Sequence, residues 1–441
     1  MTNNAGMRYL STLGGHETDL IGAISRGLAP DGSLYVPKDL PRFDPQRIRG
    51  ERIEQIAVEL LEPFFKGSRL APMLEAICKD AFNFPIPLEE LDGGMLAVLE
   101  LFHGPTAAFK DVGARFLAAA MERALPDLAP EDKRSLTILV ATSGDTGGAV
   151  ASAFHGRRGM RVAVLFPRGQ VSPRQKHQLT CWTGNIHSFE VNGSFDQCQG
   201  LLKNAFTSPQ ISTTHRLSAA NSINMGRLLP QMVYHAAASL WHWRKHGNRA
   251  SFIVPTGNLG NALACIWARA MGMPIRDIVL ATNSNRVIPE FLSTGDWKPR
   301  DSIQTLASAM DVGDPSNMER LQHLIPDFGE LRSSIEAYPV NDSAIREQIA
   351  MDYSRRDRVW CPHTATGFRV FDSLPESRRT GQPWIIVATA HPAKFDNIVE
   401  EVIGTTVPVP PALATLLALP THNESLDPEL DLLSNALDAL K

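Results

Sequence analysis

The chain has few of the features that mark a specialised protein class, and each absence removes one class. Its 441 residues include only five cysteines, Cys78, Cys181, Cys198, Cys265 and Cys361, an odd number with no CxxC pair. That spacing argues against a disulfide framework and a zinc site, and it suits thiols kept reduced in a cytoplasmic protein. Thirteen histidines occur without an HExxH or comparable spacing, so no metal is expected. No run of eighteen apolar residues is present, which predicts no membrane span. The opening stretch MTNNAGMRYLSTLGG lacks the basic and then apolar pattern of a secretory leader. Basic residues number 43 against 47 acidic, a net charge of −4 with no Lys/Arg block, so neither nucleic acid nor a membrane surface is an expected partner. There is no repeat at solenoid or propeller periods, no GxGxxG and no GxxxxGK[ST].

What is present is an alternation. SLYVPKDLPRF reads as a short strand running into a loop, and IRGERIEQIAVELLEPFF has helical apolar spacing. GGMLAVLELFHG is a strand pattern, and KDVGARFLAAAMERAL is an amphipathic helix. SLTILVATSGDTGGAVASAFHG and ASFIVPTGNLGNALACIWARAMG each run strand, glycine turn, helix, while MRVAVLFP, DIVLAT and PWIIVATAHP are further strands. Strands separated by helices imply parallel sheets covered on both faces, with ligands bound at the carboxyl ends of the strands. The tail after about residue 407 opens with a Pro-rich joint and closes with the amphipathic LDLLSNALDALK, read as a packing arm without chemistry.

Three stretches carry chemistry. In LFHGPTAAFKDVGARFLA, Lys110 is set among apolar and small residues. An unpaired buried ammonium costs several kcal/mol, so such a lysine shifts its pKa or reacts, unless its stem alone is covered and its head reaches water. In VPTGNLGNALA, Gly257 and Gly260 let backbone N–H groups approach an anion at a helix N-terminus, although a plain tight turn accounts for the same residues. In ATSGDTGGAV, Ser143, Thr146 and the amides around Gly144 and Gly147 suit a carboxylate. Asp145 sits oddly there unless it points away or caps the helix, and a helix cap needs no ligand at all. A reactive lysine with two anion-binding turns at strand ends suggests a carbonyl cofactor bearing a phosphate, and pyridoxal 5′-phosphate fits.

With FHGPTAAFKD, SGDTGGAV, NSINMGRLLPQ, VPTGNLGNALA, LASAMDVGDPSNMERL and TAHPAKF in that order, the chain resembles the threonine synthases, within the tryptophan-synthase-like (fold type II) pyridoxal phosphate enzymes. The likeness runs nearly end to end. It implies an α/β architecture of two parallel-sheet, three-layer αβα domains plus an N-terminal α/β segment. The expected boundaries are 1–95 for that segment, 96–125 with 245–441 for a large cofactor domain, and 126–244 for a small substrate-side domain. By the resemblance Lys110 is the Schiff-base lysine and the catalytic residue. Gly257, Asn258, Leu259, Gly260 and Asn261 cradle the cofactor phosphate, and Thr389 partners the pyridine nitrogen. Ser143, Gly144, Asp145, Thr146 and Gly147 take the substrate carboxylate. Asn221 and Arg227 take the substrate phosphate, with Lys394 a second contact; His363 and His391 line the pocket without a catalytic role.

The implied reaction is O-phospho-L-homoserine plus water to L-threonine plus phosphate, by a cytoplasmic monomer or homodimer acting on a small molecule. The rival within the same fold is a phospho-lyase releasing 2-oxobutanoate, ammonia and phosphate. The rival outside it is a non-catalytic descendant, against which the intact Lys110, glycine turns and Arg227 argue. The chain departs from the family's usual pattern at Leu13, where arginine is frequent, and at Asn261 and Cys361, where aspartate is. The VGARF that follows AFKD also differs from the usual continuation.

Overall fold

The computed structural model describes residues 6–127 and 134–440. Its strands, in chain order, are β1 (Tyr9–Ser11), β2 (Glu17–Thr18), β3 (Tyr35–Pro37), β4 (Leu88–Asp92), β5 (Leu96–Glu100), β6 (Leu136–Ala141), β7 (Met160–Pro167), β8 (Ile186–Val191), β9 (Arg216–Ala219), β10 (Ala250–Pro255), β11 (Ile275–Thr282), β12 (Glu336–Pro339), β13 (Trp384–Ala388) and β14 (Glu424–Leu426). They form three sheets: β2-β1-β3, β12-β11-β10-β13-β5-β4 and β14-β8-β7-β6-β9. The small N-terminal sheet is antiparallel. The five-stranded sheet is parallel throughout, and the six-stranded sheet is parallel except for its edge strand β4.

The burial of these strands follows from their sequence. LTILVA in β6 and ASFIVP in β10 are buried at every position, the continuous apolar pattern required of strands covered by helices on both faces. The covering helices include Lys110–Ala124, Asp145–Phe154, Gly260–Ala270 and the 22-residue Met225–His246. One large apolar core joins the N-terminal segment to the facing sides of both parallel sheets. A second core lies on the outer side of the six-stranded sheet and a third on the outer side of the five-stranded one. Among the described residues no helix is long and apolar enough to cross a membrane.

The expected strand and helix alternation is seen. β4, within the stretch expected to form the N-terminal segment, pairs with β5 in the six-stranded sheet. The tail serves both sheets: Val407 and Leu413 lie in the second core, and the residues after them join the five-stranded sheet. β14 adds in parallel to β8, and Leu433 and Leu437 of the last helix, Leu430–Ala439, fill the third core beside Leu201 and Leu202. An uncovered β8 would leave a row of unpaired backbone groups above an apolar face, and the tail meets both needs at once. Leu433 is fully buried. Leu433→Ala is expected to lower stability by about 2–5 kcal/mol, measured by urea unfolding; a loss below about 1 kcal/mol would show that the tail is not part of the small domain's core.

Candidate active site

Four parallel strands end at one cleft. After β5 the chain runs through residues 101–109 to Lys110; after β6 comes the SGDTG turn; after β10 the GNLGN turn; after β13 comes Thr389. Residues 107–109 lie along 389–391, with Phe109 N donating to Thr389 O at 2.8 Å and His391 N to Ala107 O at 3.0 Å. This clasp sets Lys110, the first residue of its helix, beside Thr389. The next residue, Asp111, is buried and accepts from Thr106 N (2.8 Å) and Thr106 Oγ1 (2.7 Å), which ties down the preceding loop.

Lys110, Arg227, Asp145, Gly257, Asn258 and Thr389 all line the same cleft. The Lys110 amine lies 4.4 Å from the centre of the Phe109 ring. Burial is the chief reason that its pKa falls from 10.5 to about 8; the Arg227 charge pushes the same way and Asp145 opposes it. Gly113, one helical turn on, admits Arg227: a Cβ there would lie 2.9 Å from Arg227 Nε. The Arg227 guanidinium is almost wholly buried, and its Nε has no partner among the described residues, while one NH2 group donates to Ala220 O at 2.6 Å. Burial draws it down only to about 10, so it stays a cation.

Leu259 adopts φ +60°, which turns the chain into the helix Gly260–Ala270 and exposes that helix's first-turn N–H groups. Gly257 lies against Met310, and a Cβ there would sit 2.6 Å from Met310 Cα. Thr389 Oγ1 is buried without a partner. An orphaned hydroxyl, a buried lysine of lowered pKa and an anion-ready helix end in one cleft are what a phosphorylated pyridine aldehyde requires. These residues fit pyridoxal phosphate.

Three families of related sequence were found. A family model described as pyridoxal-phosphate dependent enzyme matches residues 82–390, one for the threonine synthase N terminus matches 8–82, and one for the threonine synthase C-terminal region matches 364–436. Threonine synthase of Serratia marcescens is 36% identical over 92% of each chain, and that of Escherichia coli is 35% identical over 92% of this chain and 93% of its own. The crystal structure of the Escherichia coli enzyme superposes with a TM-score of 0.89 at 32% identity, covering 99% of this chain and 100% of that one. The pyridoxal phosphate-bound threonine synthase of Brucella melitensis gives 0.88 at 33%, covering 98% and 99%. The chain belongs to the threonine synthase family.

Pyridoxal phosphate is therefore its cofactor, and the fold is that of the fold type II enzymes. Several residues expected to contact ligands have partners inside the protein. Lys394 has no exposed surface; its amine donates to Thr106 O at 2.7 Å and pairs with Asp145 Oδ1 at 2.9 Å. Lys394 and Asp145 are thus engaged with each other. The Gly144 and Gly147 amides both donate to Thr142 Oγ1 at 2.9 Å, so the donors this turn can offer an anion are the Ser143 and Thr146 hydroxyls and its other backbone N–H groups. Asn261 accepts through Oδ1 from Tyr234 OH at 2.8 Å and donates to Pro255 O at 3.3 Å, so its side chain braces the turn. Asn258 is held between Ser222 Oγ (2.7 Å) and Ser316 N (2.5 Å). Asn221 donates one N–H to Ala141 O at 2.9 Å and retains a second.

The departures from the threonine synthase pattern also have places. Cys361 caps the helix Pro362–Ser373 by accepting from Thr364 N at 3.5 Å, and Thr364 Oγ1 accepts from Thr389 N at 3.2 Å. Burial raises the Cys361 thiol pKa, so this cap carries no charge where the usual aspartate would. Leu13 is 74% exposed at the rim of the groove that leads to Asn221 and Asn258. His391 faces Phe102 and His103. His363 does line the cleft; its Nε2 accepts from Ala309 N at 3.0 Å, and burial lowers its pKa to about 4, so it is a neutral ring with an unpartnered Nδ1.

Sequence reading missed Arg320. This fully buried guanidinium donates to Tyr35 O (2.8 Å), Ile223 O (2.6 Å) and Asn317 Oδ1 (2.8 Å), and Asn317 Nδ2 donates to Asn258 O at 3.0 Å. It lies in DVGDPSNMERL, a stretch quoted for its resemblance, where nothing local separates it from a surface arginine.

Only the unprotonated Lys110 amine can attack the cofactor aldehyde. With its pKa lowered to about 8, loading of the apoprotein should speed up about tenfold per pH unit below that value and level off above it. Stopped-flow absorbance of cofactor uptake checks this, and a rate still climbing steeply beyond pH 9 (roughly where an unperturbed lysine titrates) would mean an ordinary lysine.

Proposed function

We propose that this chain converts O-phospho-L-homoserine and water to L-threonine and inorganic phosphate. The observation that carries the proposal is one cleft holding a buried lysine of lowered pKa, a glycine turn at a helix N-terminus and a buried arginine with an unpartnered N–H, in a chain of the threonine synthase family. Bound pyridoxal phosphate supplies an electron sink for charge that develops next to the substrate nitrogen.

In this reading Lys110 holds the cofactor until the substrate amine takes its place. Its freed Nζ then takes the proton from Cα and gives it up to the bound cofactor before it takes one from Cβ, and this second proton is the one it returns to Cγ after phosphate has left. An amine with a pKa near 8 can both accept and return protons at neutral pH, which the ordinary value of 10.5 would prevent. Arg227, permanently charged and dry, grips the substrate phosphate through the N–H that the protein leaves free, and Asn221 adds its second N–H. Ser143 and Thr146 donate to the substrate carboxylate. Thr389, a hydroxyl in place of a carboxylate, accepts or donates at the pyridine nitrogen without fixing a positive charge there. His363 presents a neutral N–H to the same cleft. Water is held out until the last addition at Cβ.

The cleft is built from residues of one chain, so a monomer and a homodimer both supply it. Five free, buried cysteines support a cytoplasmic site of action.

The deciding assay adds pyridoxal phosphate and O-phospho-L-homoserine to the purified protein and quantifies phosphate, threonine and 2-oxobutanoate together. Threonine is expected to match phosphate one for one; 2-oxobutanoate in its place would overturn the proposal in favour of a phospho-lyase. Arg227→Ala should raise KM for the phosphorylated substrate by about 10- to 150-fold, the equivalent of about 1.5–3 kcal/mol for a charge-assisted hydrogen bond. An unchanged KM would remove Arg227 from the phosphate site.

A further inference from the structure

A carboxylate in a turn meant to receive a carboxylate is a contradiction unless something cancels its charge. Asp145 is buried at the start of the helix Asp145–Phe154, lines the cleft, and belongs to the turn after β6 in the five-stranded sheet. Lys394 comes from the other sheet, in the short helical turn Pro392–Phe395 that follows β13. Its amine meets Asp145 Oδ1 at 2.9 Å with no solvent exposure, and Gln175 Nε2 donates to the same oxygen at 3.0 Å.

The neighbourhood holds this meeting in register. Gln178 Nε2 donates at 3.0 Å to Thr106 O, the carbonyl that also accepts from Lys394. Ser172 Oγ donates to Lys394 O at 3.1 Å, and Arg174 donates to Ala393 O at 2.5 Å and pairs with Asp396 at 3.0 Å. The helix Pro173–Thr180 of the five-stranded sheet is thereby seated on residues 393–396 of the six-stranded one. A buried lysine without a partner would be neutral or displaced, and a buried aspartate without one would be protonated or would repel an anion. Together they form a neutral unit.

We propose that Lys394 is a positioning and specificity-determining residue: by neutralising Asp145 across the two sheets, it makes the SGDTG turn acceptable to an anionic substrate carboxylate. Lys394 thus acts on the substrate's carboxylate end and has no contact with its phosphate. The inference rests on the reading of Ser143 and Thr146 as carboxylate donors given above.

The test uses the cofactor-loaded protein and reads ligand binding from the shift in cofactor absorbance, so turnover is not needed. The probes are O-phospho-L-homoserine and 3-aminopropyl phosphate, which has the amine and the phosphate but no carboxylate. The variants are Lys394→Met, Lys394→Gln, Asp145→Asn and the double Asp145→Asn/Lys394→Met. Removing the Lys394 charge should weaken O-phospho-L-homoserine by at least about tenfold, the scale of an unscreened like-charge contact, and leave 3-aminopropyl phosphate within about threefold. The double variant, in which neither charge remains, should recover most of the loss. Lys394→Gln keeps a donor toward Thr106 O, so it shows the same selective loss even where Lys394→Met does not fold.

A loss equal for both probes, or a double variant as poor as the single ones, would overturn the charge-masking role and leave the pair as a structural clamp. A parent protein that binds both probes equally would instead overturn the carboxylate assignment on which the inference rests, and the masking role with it.

Discussion

A guanidinium with no carboxylate partner holds this molecule together at its centre. Arg320 is fully buried, and its partners are the carbonyl oxygens of Tyr35, Ser222 and Ile223 and the amide oxygen of Asn317. Burial lowers its pKa to about 9, which measures how dry the site is. A charge placed there is tolerable only because neutral dipoles from three segments converge on it. The segments are the N-terminal sheet, the turn that launches the Arg227 helix, and the stretch that braces Asn258. Glu319, its neighbour in sequence, faces outward to the same N-terminal sheet, accepting from Thr12 Oγ1 and from Leu34 N at 2.9 Å. The GNLGN turn, the arginine of the cleft and the N-terminal segment are therefore one mechanical unit.

The electrostatics of the cleft follow from that packing. Arg227 is placed near Lys110 because Gly113 leaves room for it, and in a dry cleft one of two neighbouring cations gives way. The lysine yields because an amine can lose its proton within the physiological range and a guanidinium cannot. The lysine pKa falls to about 8, whereas the guanidinium keeps its charge. Asp145 pulls the other way, and its own charge is largely answered by Lys394.

How much of this was legible in the sequence depended on range. Strand, glycine turn and helix are local patterns, so β6, β10 and the helices after them were readable, as was the oddness of Lys110 among alanines and phenylalanines. Asp145 was noticed as out of place for the right physical reason, but its answer lies in a lysine far along the chain. Thr142 was invisible because a hydroxyl that gathers two backbone amides has no sequence pattern of its own. Lys394 reads from the sequence as either a phosphate contact or a solvent-facing lysine, and its full burial against Asp145 and Thr106 O depends on residues far away in the chain. The tail was read as a packing arm, and it is one; a three-residue strand with a charged first position carries too little periodicity to announce that it joins a sheet whose other strands precede it by more than two hundred positions.

That last strand bears on how the enzyme comes into being. The five-stranded sheet is drawn from both sides of the six-stranded one in sequence: β6 to β9 precede β10 to β13, whereas β14 and the helix over the third core follow them. Until they emerge from the ribosome, β8 is an open edge beside an uncovered apolar face, the kind of surface that recruits chaperones or other nascent chains. A chain that stops before β14 would thus keep Lys110, Arg227 and both glycine turns and still lack a finished small domain.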